Sequence, residues 1–120
     1  MVPDLFPYPL LQEVELPVLS EEMEWIPLTL RSVSSNTVKS ITFTHTCDDL
    51  DAEFLLQLWA SLDLDDLLVS DRHFQNLERL SFTFWYNFED DTEAETWFSS
   101  LRSLFPKCAK RSITIEARLA

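Results

Sequence analysis

Within residues 76–86, apolar side chains occupy every second position from Leu80 to Tyr86, which is the pattern of a β-strand with one buried face. The apolar side consists of Leu80, Phe82, Phe84 and Tyr86. The opposite side consists of Arg79, Ser81, Thr83 and Trp85. Strands of a parallel sheet that is covered on both faces are usually apolar throughout. This strand therefore predicts a sheet that packs helices against one face and leaves the other face open to solvent.

Three other segments have the same alternation, and helical patterns separate them. Residues 10–16, 38–45 and 112–118 are predicted strands, and we expect the first to stop at Pro17. Between the first two strands we predict a short helix that starts near Ser20 and holds Pro27 in its first turn. A second helix is predicted after Asp51. Its buried face is predicted to consist of Phe54, Leu55, Leu58, Trp59 and Leu62.

The remaining helical patterns lie on either side of residues 76–86. One or two helical turns are predicted at residues 64–69. The cleanest helical periodicity of the chain is that of Trp97, Phe98, Leu101, Leu104 and Phe105. A capping box of Thr92 and Glu95 predicts where this helix starts, and Pro106 predicts where it ends.

The order of strands and helices is typical of parallel strands joined by right-handed crossovers. Three strands also share the apolar spacing of a leucine-rich-repeat strand. Those apolar sets are Leu11, Val14 and Leu16; Val38, Ile41 and Phe43; and Leu77, Leu80 and Phe82. After an extended lead-in at residues 1–9, residues 10–120 are predicted to form one α/β domain. We expect an irregular leucine-rich-repeat-like solenoid of about four parallel strands with helices on one face.

Four segments, residues 58–63, 74–82, 97–106 and 113–115, together resemble a known family. The chain is similar to the C-terminal, leucine-rich-repeat-like region of F-box-type proteins of mushroom-forming fungi, over about residues 10–118. This resemblance implies a protein-interaction module of the substrate-recruiting kind. The F-box, which in that family binds the ubiquitin-ligase adaptor, has no evident counterpart in the sequence, so the resemblance carries over partner recognition alone.

Glycine is absent, although an ordinary chain of 120 residues contains roughly eight. Phosphate-binding loops, dinucleotide fingerprints and nucleophile elbows all need glycine, so several large enzyme classes are excluded. No local signature singles out a nucleophile or a general base. We therefore expect a protein that is not an enzyme and needs no cofactor.

The formal charge of −12 is unevenly distributed. Residues 1–101 carry 20 acidic and 4 basic side chains, whereas residues 102–120 carry 1 and 5. Such an acidic surface repels phosphate backbones, so nucleic-acid binding is not expected. The basic side chains near the end are expected to complement a helix C-terminus, and they are Arg102, Lys107, Lys110 and Arg111. Attraction of an acidic partner by this short basic segment is the alternative.

Neither an apolar run of about 18 residues nor a secretory signal pattern is visible, so no membrane association is expected. We expect a cytoplasmic or nuclear protein in which Cys47 and Cys108 are reduced thiols, and one disulfide between them is the alternative.

Candidate metal ligands occur without the spacing that metal sites need. His45, Cys47, His73 and Cys108 lack the paired short spacings of zinc modules. The acidic clusters 48–51 and 63–66 lack the central glycine and the closing glutamate of a calcium loop. Glu89 and Asp91 are expected to be helix-capping or solvated carboxylates rather than an acid–base pair. No metal site is predicted.

The open face of the predicted sheet is the candidate binding site. It is predicted to consist of Ser40, Thr42, Thr44, Arg79, Ser81, Thr83, Trp85, Thr114 and Glu116. Trp85 lies at the strand end, so burial of its side chain under a loop is the alternative for this residue. The acidic charge favours a basic protein partner. An alternative is a small compact α/β enzyme or ligand-binding domain with a site at the C-terminal strand ends, near residues 45–48 and 86–91. Self-association through the N-terminal edge strand, residues 10–16, is a further expectation.

Overall fold

The computed structural model describes residues 12–18, 23–32, 37–46 and 51–120. Its strands are β1 (Glu13–Val18), β2 (Ser40–Thr46), β3 (Arg79–Trp85) and β4 (Thr114–Leu119). Its helices are α1 (Trp25–Arg31), α2 (Ala52–Ser61), α3 (Leu64–Ser70), α4 (Asp91–Arg102) and α5 (Pro106–Lys110), and a single 3₁₀ turn, Arg72–Phe74, follows α3. Within these residues no helix is both long and apolar enough to cross a bilayer.

The four strands form one parallel sheet in the order β1-β2-β3-β4, which is also their order along the chain. The α/β class and the four-stranded parallel sheet predicted from the alternation are confirmed. The strands are in register, because Val14 pairs with Ile41, Ile41 with Leu80, and Leu80 with Ile115.

The core lies between the helices and one face of the sheet, which we call the inner face. Its strand residues are every second side chain of β1, β2 and β3, and all of these are buried. Trp59 of α2 lies at the centre, with its ring centroid 5.1 Å from those of Phe43 and Phe82. Trp97 of α4 extends this aromatic cluster through its contact with Phe84, at 4.9 Å. Aromatic side chains bury large apolar areas, so this cluster supplies much of the hydrophobic stabilisation.

Pro17 does not stop the first strand as predicted; it lies within β1, where it pairs with Thr44. The reason is its position at the edge of the sheet. Gln12 accepts hydrogen bonds from Lys39 and Ser40, so the even-numbered residues of β1 direct their backbone groups toward β2. By alternation, the nitrogen of Pro17 points away from the described sheet, where a missing N–H breaks no bond of the ladder.

The start of α4 also differs from the prediction. Its N-cap is Asp90, whose Oδ1 accepts a hydrogen bond from the Glu93 backbone N–H at 2.7 Å, so the Thr92–Glu95 capping box is wrong. Asp90 has the extended backbone that an N-cap needs, whereas Thr92 already lies inside the helix. Pro106 occupies the first position of the short helix α5, a site that proline favours because no N–H is required there.

The predicted buried face of α2 is only partly correct. Leu55 and Trp59 are buried, but Phe54 is 41% exposed, and Leu58 and Leu62 are half-buried. The helix is therefore rotated so that a narrower apolar stripe meets the sheet. Asp51 caps its start, because its carboxylate accepts the Phe54 backbone N–H at 3.2 Å.

Among the described residues of this glycine-free chain, two turns require a left-handed backbone conformation. Asp63 has φ 51° and Ser112 has φ 63°. Asp is one of the few residue types that visit this region readily, whereas Ser has no such advantage. The absence of glycine is thus accommodated at some cost in backbone strain.

The short helix α5 is anchored by two charged side chains. The buried carboxylate of Asp65 accepts the backbone N–H groups of Lys107 and Cys108 at 3.0 and 2.8 Å. Arg111 donates to the carbonyl oxygens of Leu68, Phe74 and Gln75 at 3.2, 3.0 and 3.0 Å. Asp65 is therefore a cap for the N-terminus of α5, and Arg111 caps the ends of α3 and of the 3₁₀ turn, which is the role expected for Arg111.

Several predictions lie outside the described residues. They concern the lead-in at residues 1–9, the start of strand one at residues 10 and 11, the helix start at Ser20, the thiol of Cys47, and the carboxylates of Asp48 and Asp49.

Candidate interaction surface

The outer face of the sheet, opposite the core, brings all nine predicted site residues together. The parallel register arranges this face in rows that run across the strands. The first row is Glu13, Ser40, Arg79 and Thr114. The second row is Glu15, Thr42, Ser81 and Glu116. The third row is Pro17, Thr44, Thr83 and Arg118, and Thr46 and Trp85 begin a fourth.

The centre of this face is low because its side chains are short. The hydroxyl residues of β2 and β3 are half-exposed apart from Thr46, which is exposed, and the longer charged residues around them are also exposed. The result is a shallow depression of about 330 Å³, lined by side chains of all four strands. Its rim includes Glu13 and Glu15 on one side and Arg118 on the other. Such a surface offers hydroxyl groups for hydrogen bonding while leaving room for the larger side chains of a partner.

Charge on the outer face is arranged in columns. Glu13 and Glu15 give β1 two carboxylates, whereas β3 contributes Arg79 and β4 contributes Glu116 and Arg118. Arg79 Nε lies 3.8 Å from Glu116 Oε1, and both side chains are more than half exposed. An exposed pair at this distance contributes little to stability. The acidic character of the face is therefore concentrated at the β1 edge.

Trp85 is the largest apolar side chain on this face, and 58% of it is exposed. It ends β3 beside Thr46 of β2, while its neighbour Phe84 is buried on the inner face. The alternation of β3 thus continues to the last residue of the strand. Tryptophan residues presented in this way are frequent anchors of protein interfaces.

The sequence prediction omitted five residues of these outer-face rows. They are Glu13, Glu15, Pro17, Thr46 and Arg118. The alternation itself places Glu13, Glu15 and Arg118 on the polar side of their strands, so this signal was available. Thr46 lay beyond the predicted end of its strand.

Three of the four candidate metal ligands, His45, His73 and Cys108, lie in the described part of the chain. His45 is buried, and its Nδ1 accepts a hydrogen bond from Trp59 Nε1 at 3.2 Å. His73 Nδ1 lies 2.9 Å from Asp71 Oδ1. Cys108 is a buried free thiol. In the part of the chain that the structure describes, no three acidic, histidine or cysteine side chains form a metal-binding group.

Beyond the C-terminal end of β3, the described aromatic side chains pack against one another. Tyr86 packs on Phe88 with ring centroids 4.6 Å apart, and Phe88 packs on Trp97 at 5.6 Å. Glu89 and Asp91 are exposed on either side of the helix cap Asp90. These contacts are those of a hydrophobic core that continues past the strand ends.

Comparison of the chain with protein-family models, curated protein sequences and solved structures finds no match.

Proposed function

We propose that the chain is a non-catalytic protein-interaction module that binds its partner on the outer face of the sheet. The observation that carries this proposal is the alternation of β2 and β3, which leaves a face of hydroxyl groups open beside the exposed Trp85. A sheet that served only as a scaffold would ordinarily be covered on both faces in a parallel α/β fold.

The finer architecture that we propose is an irregular leucine-rich-repeat-like solenoid. Its support is the stacking of strands in chain order and the shared register of Val14, Ile41, Leu80 and Ile115. The resemblance to the C-terminal region of the fungal F-box-type proteins agrees with this architecture and with a role in partner recruitment. Solenoids of this kind bind partners on the exposed strand surface.

The partner that we propose is a protein with a basic contact surface. Glu13 and Glu15 place two carboxylates at the β1 edge of the depression. Strand β1 contains no basic residue that would neutralise them. The chain as a whole carries a charge of −12, which accelerates encounter with a basic partner and disfavours an acidic one.

The test fills the depression with bulk. The double variant Thr42→Arg, Thr83→Arg places two long side chains on half-exposed positions of β2 and β3. A matched control, Ser61→Arg with Ser103→Arg, likewise replaces two hydroxyl residues by arginine, at exposed positions at the ends of α2 and α4. Proteins retained by the immobilised wild-type chain are identified by mass spectrometry, and circular dichroism verifies that each variant is folded.

Proteins that bind the proposed face are retained by the wild type and by the helix control but are lost with the sheet variant. If the folded sheet variant retained every protein that the wild type retains, the outer face would not be the binding surface. Trp85→Ala is expected to weaken the same interactions, because the exposed indole would be removed without disturbing the core.

A further inference from the structure

The edge of β4 presents free hydrogen-bonding positions to solvent. The Thr114 N–H donates to the Glu78 carbonyl, and the Ala120 N–H donates to the Phe84 carbonyl, each at 2.9 Å. Even-numbered residues of β4 therefore direct their backbone groups toward β3. By alternation, residues 115, 117 and 119 direct their N–H and C=O groups the other way, where the described sheet has no further strand.

The hydrophobic core is also incompletely covered beneath this edge. Leu119 is 41% exposed, and Ile115 and Ala117 are only half-buried. Beside them, β4 and α4 border a groove of about 520 Å³ whose lining includes Phe98. At the opposite end of the sheet, the inner residues of β1 are 0 to 2% exposed. The end of the core that is incompletely covered is therefore the one beside β4.

The charge pattern of β4 is complementary to itself. We propose that a second copy of this chain pairs with β4 in the antiparallel direction, centred on Ala117, so that the two sheets become continuous. In this register Ile115 lies opposite Leu119 of the partner subunit, and Glu116 lies opposite Arg118 of the partner subunit. The twofold symmetry repeats both pairs, as it does in any dimer with a shared face.

The backbone geometry permits this register. Residues 115, 117 and 119 all point their N–H and C=O groups outward, and the proposed pairing sets them opposite one another. Residues that face each other in this way exchange two hydrogen bonds per pair in an antiparallel ladder. The same pairing brings the exposed side chain of Leu119 against the half-buried Ile115 of the partner subunit, which removes apolar surface from water.

Charge selects this register over its neighbours. Moving the second copy by two residues in one direction places Glu116 opposite Glu116 of the partner subunit. Moving it the other way places Arg118 opposite Arg118 of the partner subunit. Like charges directly opposite each other on a sheet are unfavourable, so only the register centred on Ala117 pairs both residues with opposite charge.

The β1 edge is less suited to the same use. Pro17 occupies one of its outward-directed backbone positions and has no N–H to donate. The N-terminal edge strand was the sequence-based expectation for self-association, and the experiment below separates the two edges. The dimer does not depend on the proposed binding function, because its backbone hydrogen bonds lie along the edge of the sheet, although Glu116 and Arg118 also belong to the outer face.

The experiment reverses charge in the intact chain and measures mass by sedimentation equilibrium over a range of concentrations. The wild type is expected to form a reversible dimer. Glu116→Arg and Arg118→Glu each convert two attractive pairs into two repulsive ones, so each is expected to raise the dimer dissociation constant roughly tenfold or more. The exposed Arg79–Glu116 contact is lost in the first variant, and circular dichroism verifies the fold.

Rescue is the decisive measurement. An equimolar mixture of the two single variants is expected to form a heterodimer with wild-type affinity, because every opposing pair again has opposite charge. The double variant Glu116→Arg, Arg118→Glu is expected to restore the homodimer for the same reason. A wild type that stays monomeric at the highest soluble concentration would overturn the proposal, and so would single variants that dimerise normally or a mixture that shows no rescue.

Two proline variants test the β4 edge and the β1 edge independently of charge. Ala117→Pro removes an outward-directed N–H of β4, and Glu15→Pro removes the corresponding group of β1; Pro17 shows that an edge strand of this sheet accommodates proline. Loss of the dimer in Ala117→Pro alone supports pairing through β4. Loss in Glu15→Pro alone would move the interface to β1 and overturn the assignment made here.

Discussion

Two tryptophan residues of this chain have opposite environments, and their replacement separates core packing from surface exposure. Trp59 is 1% exposed, its Nε1–H donates to the buried Nδ1 of His45, and its ring contacts Phe43 and Phe82. Trp59→Phe removes this donor and leaves a cavity. The free energy of unfolding is therefore expected to fall by about 2–4 kcal/mol in urea titrations.

The matched change is Trp85→Phe on the exposed outer face, where 58% of the side chain already meets solvent. Its expected effect on the free energy of unfolding is within about 0.5 kcal/mol. Equal losses from the two substitutions would contradict the placement of Trp59 at the centre of the core.

A single thiol gives the protein a predictable response to alkaline pH. Burial raises the pKa of Cys108 from 9.0 to about 12, and its hydrogen bond with Asp65 acts in the same direction. Between these two values the unfolded chain releases the thiol proton while the folded chain keeps it. The contribution of Cys108 to stability is therefore complete below about pH 9 and is lost as the pH rises toward about 12, by up to about 1.4 kcal/mol per pH unit.

The measurement is the free energy of unfolding against pH under reducing conditions, for the wild type and for Cys108→Ala. Lysine and tyrosine side chains titrate in both proteins, so only the difference between the two curves reports on Cys108. The wild type is expected to lose stability more steeply than the variant above about pH 9. Parallel curves would show that the buried thiol is not protected. The same protection predicts slow alkylation of Cys108 at pH 8 in the folded protein.

At the scale of secondary-structure elements, the start of α4 offers two candidates for the N-cap, Asp90 and Thr92. Asp90 accepts the Glu93 N–H at 2.7 Å, whereas Thr92 lies inside the helix and is exposed. Asp90→Ala is expected to lower the free energy of unfolding by about 1 kcal/mol, and Thr92→Ala by no more than a few tenths. The reverse order in thermal or urea unfolding would restore the capping box that the sequence suggested.

The elements of this fold were predictable where the signal is local. The alternation of residues 76–86 predicted β3, its buried face and its exposed face, because side-chain direction in a strand repeats every two residues. The same rule placed all nine candidate residues on one surface. Strand boundaries were less accurate, since they depend on hydrogen bonds to neighbouring strands that the local pattern does not contain.

Features that depend on distant contacts were not predictable. Asp65 belongs to the acidic cluster 63–66, for which the sequence suggested no long-range partner, yet its carboxylate caps a helix more than 40 residues away, at Lys107 and Cys108. Pro17 was predicted to end the first strand. It lies within β1 because β1 is an edge strand, and that position is a property of the whole sheet which the local sequence does not contain. The exposure of Trp85 likewise depends on whether the side-chain alternation of β3 continues to the last residue of the strand.

For the whole molecule, the charge of −12 predicts that salt stabilises the fold. Repulsion among carboxylates disfavours the compact state, and salt screens this repulsion. Screening of attractive ion pairs by salt costs little stability. The lysine and arginine ion pairs of the described residues, Lys107–Asp66 and Arg79–Glu116, join side chains that are more than half exposed. The melting temperature is therefore expected to rise by a few degrees between about 0.01 and 0.2 M NaCl.

The shape of this salt dependence identifies its cause. Screening is largely complete once the Debye length falls to about 8 Å near 0.15 M, so the rise must level off there, whereas exclusion of salt from the protein surface would keep increasing the melting temperature. Two exposed single-charge variants provide opposite controls. At low salt Glu95→Gln is expected to raise the melting temperature and Lys39→Gln to lower it, and both differences are expected to shrink in 0.2 M salt. A melting temperature that falls as salt is added would mean that attractive charge pairs, rather than the excess of carboxylates, dominate the electrostatics of this fold.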